Sequence, residues 1–320
     1  MSERPRAIFF GSPDFAVPAL QAVASVTDLR GVVSQPDRPA GRGRELHPPA
    51  VKVAALGLGV PLLQPEKIRT PDFEAALRAL DPEIFVVVAY GRILPPSLLG
   101  VPRLGCWNVH ASLLPGLRGA APIQWAIIRG ESRTGVAVMR MEEGLDTGPV
   151  AAVAETPIAD GDTAATLSAR LARLSADLIS ETLPRIAAGT VALREQDHAH
   201  ATLAPPLKKE DGRLDFTQPA RAVSARARGV DPWPGATATL DGEVIKLFQP
   251  RVVTVPVAVT GGAAAARPGR VLGAGAEGLI VGCGDGGAVA FGELQLPGRK
   301  RLPASMVLNG RPILPDTLLG

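Results

Sequence analysis

Hydrophobic and polar positions follow two different rhythms along this chain, and the change of rhythm divides it into two regions. In the first region, short runs rich in Val, Ile and aromatics read as strands: RAIFF (6–10), GVVS (31–34), IFVVVAY (84–90) and CWNVH (106–110). IFVVVAY is apolar throughout, as a strand covered on both faces must be. Between these runs the spacing predicts helices over roughly 16–26, 48–57, 72–80 and 121–129. Strand and helix in alternation predict an α/β fold, a Rossmann-like, mostly parallel sheet with flanking helices. Two more extended runs, TGVAVMRM (134–141) and PVAAVAE (149–155), flank a tight connection. They are expected to extend the sheet, one of them antiparallel. After Asp162, Leu167, Leu171, Leu174, Leu178, Ile179 and Leu183 recur at three- and four-residue spacing. That spacing predicts a long helix with one apolar face, weakened at Pro184 and ended at Gly189.

The second region reads differently. HAHATLAPPLKKEDGRLDF turns polar, and Pro205-Pro206 makes a stiff break. Beyond it, TATL, VIKLFQ, RVVTV, GRVLGA, GLIVGC and GAVAFGELQL are short strand-like runs separated by Gly-rich turns. They predict a smaller, OB-like C-terminal β-barrel domain. VTGGAAAARPG (259–269) is a low-complexity insertion expected to form a mobile surface loop. The expected division is a catalytic domain over 1–189, a linker over 190–206 and the β-barrel domain over 207–320.

Charge sharpens this division. The net charge of the chain is +3, but from Met1 to Pro205 there are 20 Lys and Arg against 21 Asp and Glu, a net of −1. From Pro206 to Gly320 the counts are 14 and 10, a net of +4, so the basic end suits a polyanion partner. No run approaches the length of a membrane span. The opening MSERPRAIFFGSPDF passes from a charged lead into a strand without a signal's apolar stretch. A cytoplasmic protein is therefore expected. Cys106 and Cys283 lie far apart in a pattern fitting neither metal nor disulfide, and Cys106 reads as a small apolar packing residue.

The candidate chemistry lies in GCWNVHASLLPGLRGAAPIQ (105–124). Residues two apart on a strand face the same way, so Asn108 and His110 project to one side where strand gives way to loop. In an open α/β sheet that edge is where ligands bind. An amide donor beside an imidazole suits an oxyanion and a mobile proton, although a turn-capping Asn and a hydrogen-bonded His would look the same. Asp146, in MEEGLDTGPV (141–150), sits in a Gly-bracketed turn between extended runs. From there its carboxylate can be aimed at the same edge, or simply close an Asx turn. No nucleophile elbow surrounds Ser112, and no third ligand gives the His and Asp a metal-binding spacing. Acyl transfer without a covalent enzyme intermediate fits best, and no metal is expected.

These segments together, NVHASLLPGLRGAAPIQWAI with TGVAVMRMEEGLDTG, resemble the formyltransferases that use 10-formyltetrahydrofolate. IFFGSPDFAVPAL and VVVAYGRILP are similar to the same family's first strand–turn–helix and its folate-lining strand. SQPDRPAGRGRELHPPAVKVAA (34–55) and the basic tail with DPWPGA (231–236) most resemble the members that act on charged initiator tRNA. The resemblance implies transfer of a formyl group from 10-formyltetrahydrofolate, as donor substrate, to the α-amino group of initiator methionyl-tRNA in translation initiation. It implies that Asn108 donates to the formyl oxygen, that His110 stabilises it and moves protons, and that Asp146 holds His110. It places Tyr90, Gly91, Ile93, Leu94, Ser112, Leu113, Leu114 and Pro115 against the folate. It also places the loop with Arg38, Arg42 and Arg44 against the tRNA, while Lys208 and Lys209 are candidates by their charge for an RNA-backbone track. Arg213, Arg226, Arg228 and the run Arg299-Lys300-Arg301 are further candidates for a backbone track. The chain carries Pro206 where relatives commonly have a Lys. The expected protein is a monomer that binds no membrane. Two other readings stay open: the same chemistry on an amino sugar or nucleotide precursor, and a non-catalytic RNA-binding protein on this scaffold.

Overall fold

The computed structural model describes residues 4–40, 45–254, 267–275 and 277–320. By its internal contacts the chain forms two compact units: 1–122 with 134–156 and 168–205, and 123–133 with 157–167 and 206–320. Arg42, Arg44 and the insertion residues 259–266 lie outside the described residues.

The first unit is built on a seven-stranded sheet. Its strands are β1 (Arg6–Gly11), β2 (Asp28–Val33), β5 (Leu62–Leu63), β6 (Ile84–Val88), β7 (Cys106–His110), β8 (Arg133–Arg140) and β9 (Val150–Pro157). Their order is β5-β2-β1-β6-β7-β8-β9. From β5 to β7 neighbouring strands run parallel, and β8 pairs with β7 antiparallel. All five residues of β6 are buried, which is why its sequence shows no polar alternation. Helices α1 (Val17–Val26), α2 (Ala50–Leu58), α3 (Pro71–Ala79) and α4 (Pro96–Leu99) connect the parallel strands, and a two-stranded ribbon, β3 (Arg38–Ala40) with β4 (Glu45–His47), precedes α2. Helix α3 shows how local sequence writes these elements. Thr70 Oγ1 accepts from Phe73 N at 3.3 Å and Pro71 opens the first turn. Asp72 and Glu74 sit at the positive end of the helix, Arg78 at the other, and Phe73 and Leu77 are buried.

The strand order has one consequence for function. From β1 the chain adds β2 and β5 on one side, then returns to add β6 and β7 on the other. This makes the point between β1 and β6 the switch point of the order, and sheets of this kind bind ligands outside the carboxyl ends of their strands there. Gly11 ends β1 there because a Cβ would stand 2.7 Å from Phe9 and 2.9 Å from Val88 O.

The second unit contains α5 (Pro122–Ile128, from Ile123), α7 (Ala220–Gly229) and α8 (Ala304–Gly310). The long helix α6 (Ala164–Ala187) contributes its first turn here and the rest to the first unit. Its other strands are β10 (Ala236–Leu240), β11 (Glu243–Val253), β12 (Val271–Gly275), β13 (Gly278–Gly282), β14 (Ala288–Gln295) and β15 (Leu302–Pro303). The sheet order is β10-β11-β14-β13-β12, antiparallel throughout, with β15 on β14. Thr239 N donates to Gly320 O at 2.6 Å on one edge, and Val271 N donates to Thr317 O at 2.8 Å on the other. Both outer strands thus pair with the same closing segment, and the sheet shuts into a barrel. Ile245, Leu247, Leu279, Val281, Val289 and Phe291 fill its interior, fully buried.

Two sequence expectations need correction here. VIKLFQ and RVVTV are one strand, β11, through Val253. Gln249 lies mid-strand at φ 51° opposite Gly292, whose missing side chain leaves room for it. ARAVSARARG, not expected as an element, is helix α7. Among the described residues no helix is long and apolar enough to cross a membrane.

Candidate active site

Asn108 and His110 close β7, and the β6–β7 register, Val87 opposite Asn108, sets the segment following β6 beside them. Asp146 comes from the turn between β8 and β9. It adopts φ 50°, and the turn closes only because Gly148 has no Cβ, which would lie 1.9 Å from Arg140 O. The structure brings the three together. Asn108 Nδ2 donates to Asp146 Oδ1 at 3.3 Å, and His110 Nδ1 stands 3.6 Å from Asp146 Oδ2. Gly119 N also donates to Asp146 Oδ2, at 2.8 Å.

His110 is 6% exposed, with Nε2 2.9 Å from Leu117 O. A carbonyl can only accept, so Nε2 carries a proton, and in the neutral ring Nδ1 holds the lone pair. Nδ1 lies beyond hydrogen-bond range of the carboxylate and is left available for proton transfer. Asn108 has two amide hydrogens and spends one on Asp146, leaving one for a substrate oxygen. Ser112 is fully buried and donates to Gly116 O at 2.6 Å. It is not bonded to the imidazole, so it has no nucleophile's geometry. Among the described residues no three His, Cys, Asp or Glu side chains cluster as a metal site requires.

The residues assigned to the folate by resemblance divide. Gly91, at φ 79° with open space where a Cβ would be, and Ile93, 66% exposed, form an uncrowded surface after β6. Tyr90 and Leu94 point the other way: both are buried in the cluster with Phe10, Phe73 and Leu98. Burial pushes the Tyr90 phenol up to about 12. The Tyr90 carbonyl accepts from Gln35 Nε2 at 3.1 Å. Leu114 is likewise buried, against Ala137, Met139 and Val150, while Leu113 and Pro115 are half-buried.

Among the arginines of the 34–46 segment, Arg38 is described and exposed. The root of that segment is fixed. Arg92 Nε donates to Gln35 Oε1 at 3.1 Å, Lys52 Nζ lies 2.7 Å from Asp37 Oδ2, and Gln64 Nε2 donates to Asp37 Oδ1 at 2.8 Å. The bond from Lys52, then that from Gln64, holds the Asp37 carboxyl below its ordinary value.

In the second unit Lys208, Lys209, Arg213, Arg299 and Lys300 are exposed. Three other basic residues serve the fold. Arg301 bridges Asp231 at 3.0 Å and Glu293 and lies over the Phe248 ring at 4.0 Å, Arg228 donates to Asp162 O at 3.0 Å, and Arg226 lies over the Trp125 ring at 5.5 Å.

The groups that hold the site carry no motif in the sequence. The expected linker contains a strap, residues 194–204, that runs along the first unit. Arg194 and Val150 exchange main-chain bonds of 2.9 and 2.8 Å, and Ala204 N donates to Arg118 O at 2.7 Å. Thr202 Oγ1 accepts from Leu117 N at 2.9 Å, so the carbonyl that His110 bonds belongs to a pinned residue.

The region of the doubly wound sheet and the region of the antiparallel barrel each match a model of the formyl transferases. The chain belongs to that family: the formyl transferase profile matches residues 6–183, and the formyl transferase C-terminal domain profile matches 206–312. Its relatives narrow the class. A methionyl-tRNA formyltransferase from Sorangium cellulosum is 49% identical over 98% of this chain and 99% of its own, and one from Geobacter metallireducens is 47% identical over 98% of each. Among solved structures, the sugar 3N-formyl transferase WlaRD, determined in the presence of dTDP and 5-N-formyl-THF, superposes with a TM-score of 0.67 at 15% identity, covering 93% of this chain and all of that one. HypX from Aquifex aeolicus in complex with tetrahydrofolic acid gives 0.62 at 19% identity over 96% of this chain, which spans about half (47%) of HypX.

Proposed function

We propose that this chain transfers the formyl group of 10-formyltetrahydrofolate to the α-amino group of methionine on initiator methionyl-tRNA. The observation that carries the chemistry is the convergent trio: Asn108 Nδ2 bonds the Asp146 carboxylate and His110 Nδ1 stands 3.6 Å from it, at the carboxyl edge of the sheet. The acceptor is supported by near-complete similarity to relatives named methionyl-tRNA formyltransferase. Residues 1–189 would form the catalytic domain and 207–320 a tRNA-binding domain, joined through 190–206. Acting on a substrate of translation, the protein would work in the cytoplasm.

The donor supplies an electrophilic formyl carbon on N10, and the surface at Gly91 and Ile93 fits its flat rings. Leu113 and Pro115 offer half-buried apolar atoms on the segment after β7. The free Asn108 amide hydrogen is placed to meet the formyl oxygen as it gains negative charge. His110 Nδ1 takes the proton of the attacking amine, and Asp146 then lies beside the imidazolium formed. The new nitrogen–carbon bond forms as the carbon–N10 bond breaks, and the proton passes to N10. Arg38, Arg42 and Arg44 provide guanidinium forks for the RNA acceptor end, and Lys208 and Lys209 add charge for its backbone.

Purified protein incubated with 10-formyltetrahydrofolate and charged initiator tRNA should yield formylmethionyl-tRNA. An amino sugar offered in its place should stay unformylated. Formylation of the sugar alone would overturn the reading.

A further inference from the structure

Asp146 occupies an exposed turn: Glu142, Glu143, Gly144 and Leu145 before it are all exposed, and its own backbone sits in the left-handed region. Such a turn does not hold a carboxylate in place by packing. What holds its main chain is Gln196, fifty residues away and 7% exposed. Gln196 Nε2 donates to Asp146 O at 2.9 Å and to Gly148 O at 2.7 Å, gripping the turn on both sides of Thr147. The amide cannot turn over, because Arg118 Nη2 and Nε donate to Gln196 Oε1 at 2.6 and 3.2 Å. Arg118 is itself buried at 6% exposure, and its Nη2 also lies 3.0 Å from His198 Nδ1. A reversed Gln196 would set its oxygen against two carbonyls and its NH2 against a guanidinium. The direction of the whole chain of bonds is therefore fixed from Arg118 to Asp146.

We propose that Gln196, oriented by Arg118, is a positioning residue for formyl transfer that sets the Asp146 carboxylate against Asn108 and His110. This rests on the catalytic reading above. Gln196 touches neither donor nor acceptor. It acts through the turn, where a displacement of about 1 Å costs a positioned group roughly a hundredfold in rate. The segment holding it carries Thr202 as well, which pins the Leu117 carbonyl bonded by His110. One strap thus supports two of the three reacting side chains from behind.

Gln196→Glu tests this. The substitution keeps size and the Arg118 pairing but removes both donors to the turn. We expect kcat to fall about 10- to 100-fold, with KM for donor and tRNA within about twofold. Placed on Asp146→Ala, it should add no further loss, since nothing would remain to position. Gln196→Ala gives the same comparison without a new charge. The Gly119 amide, which donates to Asp146, gives a readout free of activity: its hydrogen exchange should speed up in both variants, as in Asp146→Ala. Folded variants with wild-type kcat and unchanged Gly119 exchange, or losses that add fully to Asp146→Ala, would overturn the proposal. An inactive wild type with faster Gly119 exchange in the variants would instead sink the catalytic reading and leave the positioning role standing.

Discussion

The sheet-edge site and the basic surface of the barrel unit treat polar side chains in opposite ways. At the edge, Asn108, His110 and Asp146 are each tied to a neighbour, and the neighbours are tied in turn. On the barrel unit, Lys208, Lys209, Arg299 and Lys300 stand exposed. On the proposed function, the difference follows from what each would do. Stabilising charge on one oxygen needs donors fixed to fractions of an ångström before the reaction begins. Attracting a phosphate chain needs only charge within a Debye length, and a mobile ammonium supplies it. Arg301 and Arg228 show the boundary: once folded into ion pairs and carbonyl contacts, a basic residue becomes part of the frame.

The comparison can be broken most severely at the edge. Asn108→Ala should lower kcat about 10²- to 10³-fold, equivalent to about 3–4 kcal/mol, and leave tRNA affinity unchanged in a binding titration. His110→Ala should likewise abolish transfer and spare tRNA binding. Equal loss of affinity in either variant would mean that the edge binds RNA and is no separate chemical centre. On the barrel unit the effects should be smaller and of another kind. Lys208→Ala with Lys209→Ala should raise the tRNA KM roughly tenfold, keep kcat, and flatten the salt dependence by about one unit per lysine. Arg301→Ala strips the partner from a nearly buried Asp231 and should lower unfolding stability by about 1–2 kcal/mol, visible as a fall in Tm. Arg299→Ala should leave Tm unchanged. The smallest effect is an expected silence. Burial pushes the Cys106 and Cys283 thiols up to about 12. At pH 8 both stay protonated, and a maleimide should label neither until the protein unfolds.

Most of the alternating sheet is legible in the sequence because period and residue type agree. IFVVVAY and CWNVH are apolar runs too short for helices, and both are central strands. The convergence of the trio is legible too, since Asn108 and His110 share one strand face and Asp146 stands out in its glycine-framed turn. Helix α7 is hard to read because its buried positions are Ala220, Val223, Ser224, Ala225, Ala227 and Gly229, mostly small, so it shows no apolar stripe. Tyr90 and Leu94 read as folate contacts beside Gly91 and Ile93, yet the chain turns at Ala89 (φ 48°) and Gly91 and sends their side chains into the core. Gln196 and Thr202 left no signal at all. They act on main-chain groups 50 and 85 residues away, and a carbonyl has no letter in a sequence. Arg118 lies within LLPGLRG, but its buried partner Gln196 is 78 residues further along the chain.

The turn that presents Asp146 has a practical use. Leu145, at its tip, is 52% exposed, and none of the bonds gripping the turn involves its side chain. With both native thiols shut away, a Leu145→Cys protein could carry a single fluorophore without any other cysteine being removed. Its emission would report, one residue from the carboxylate, each time substrate arrives and leaves.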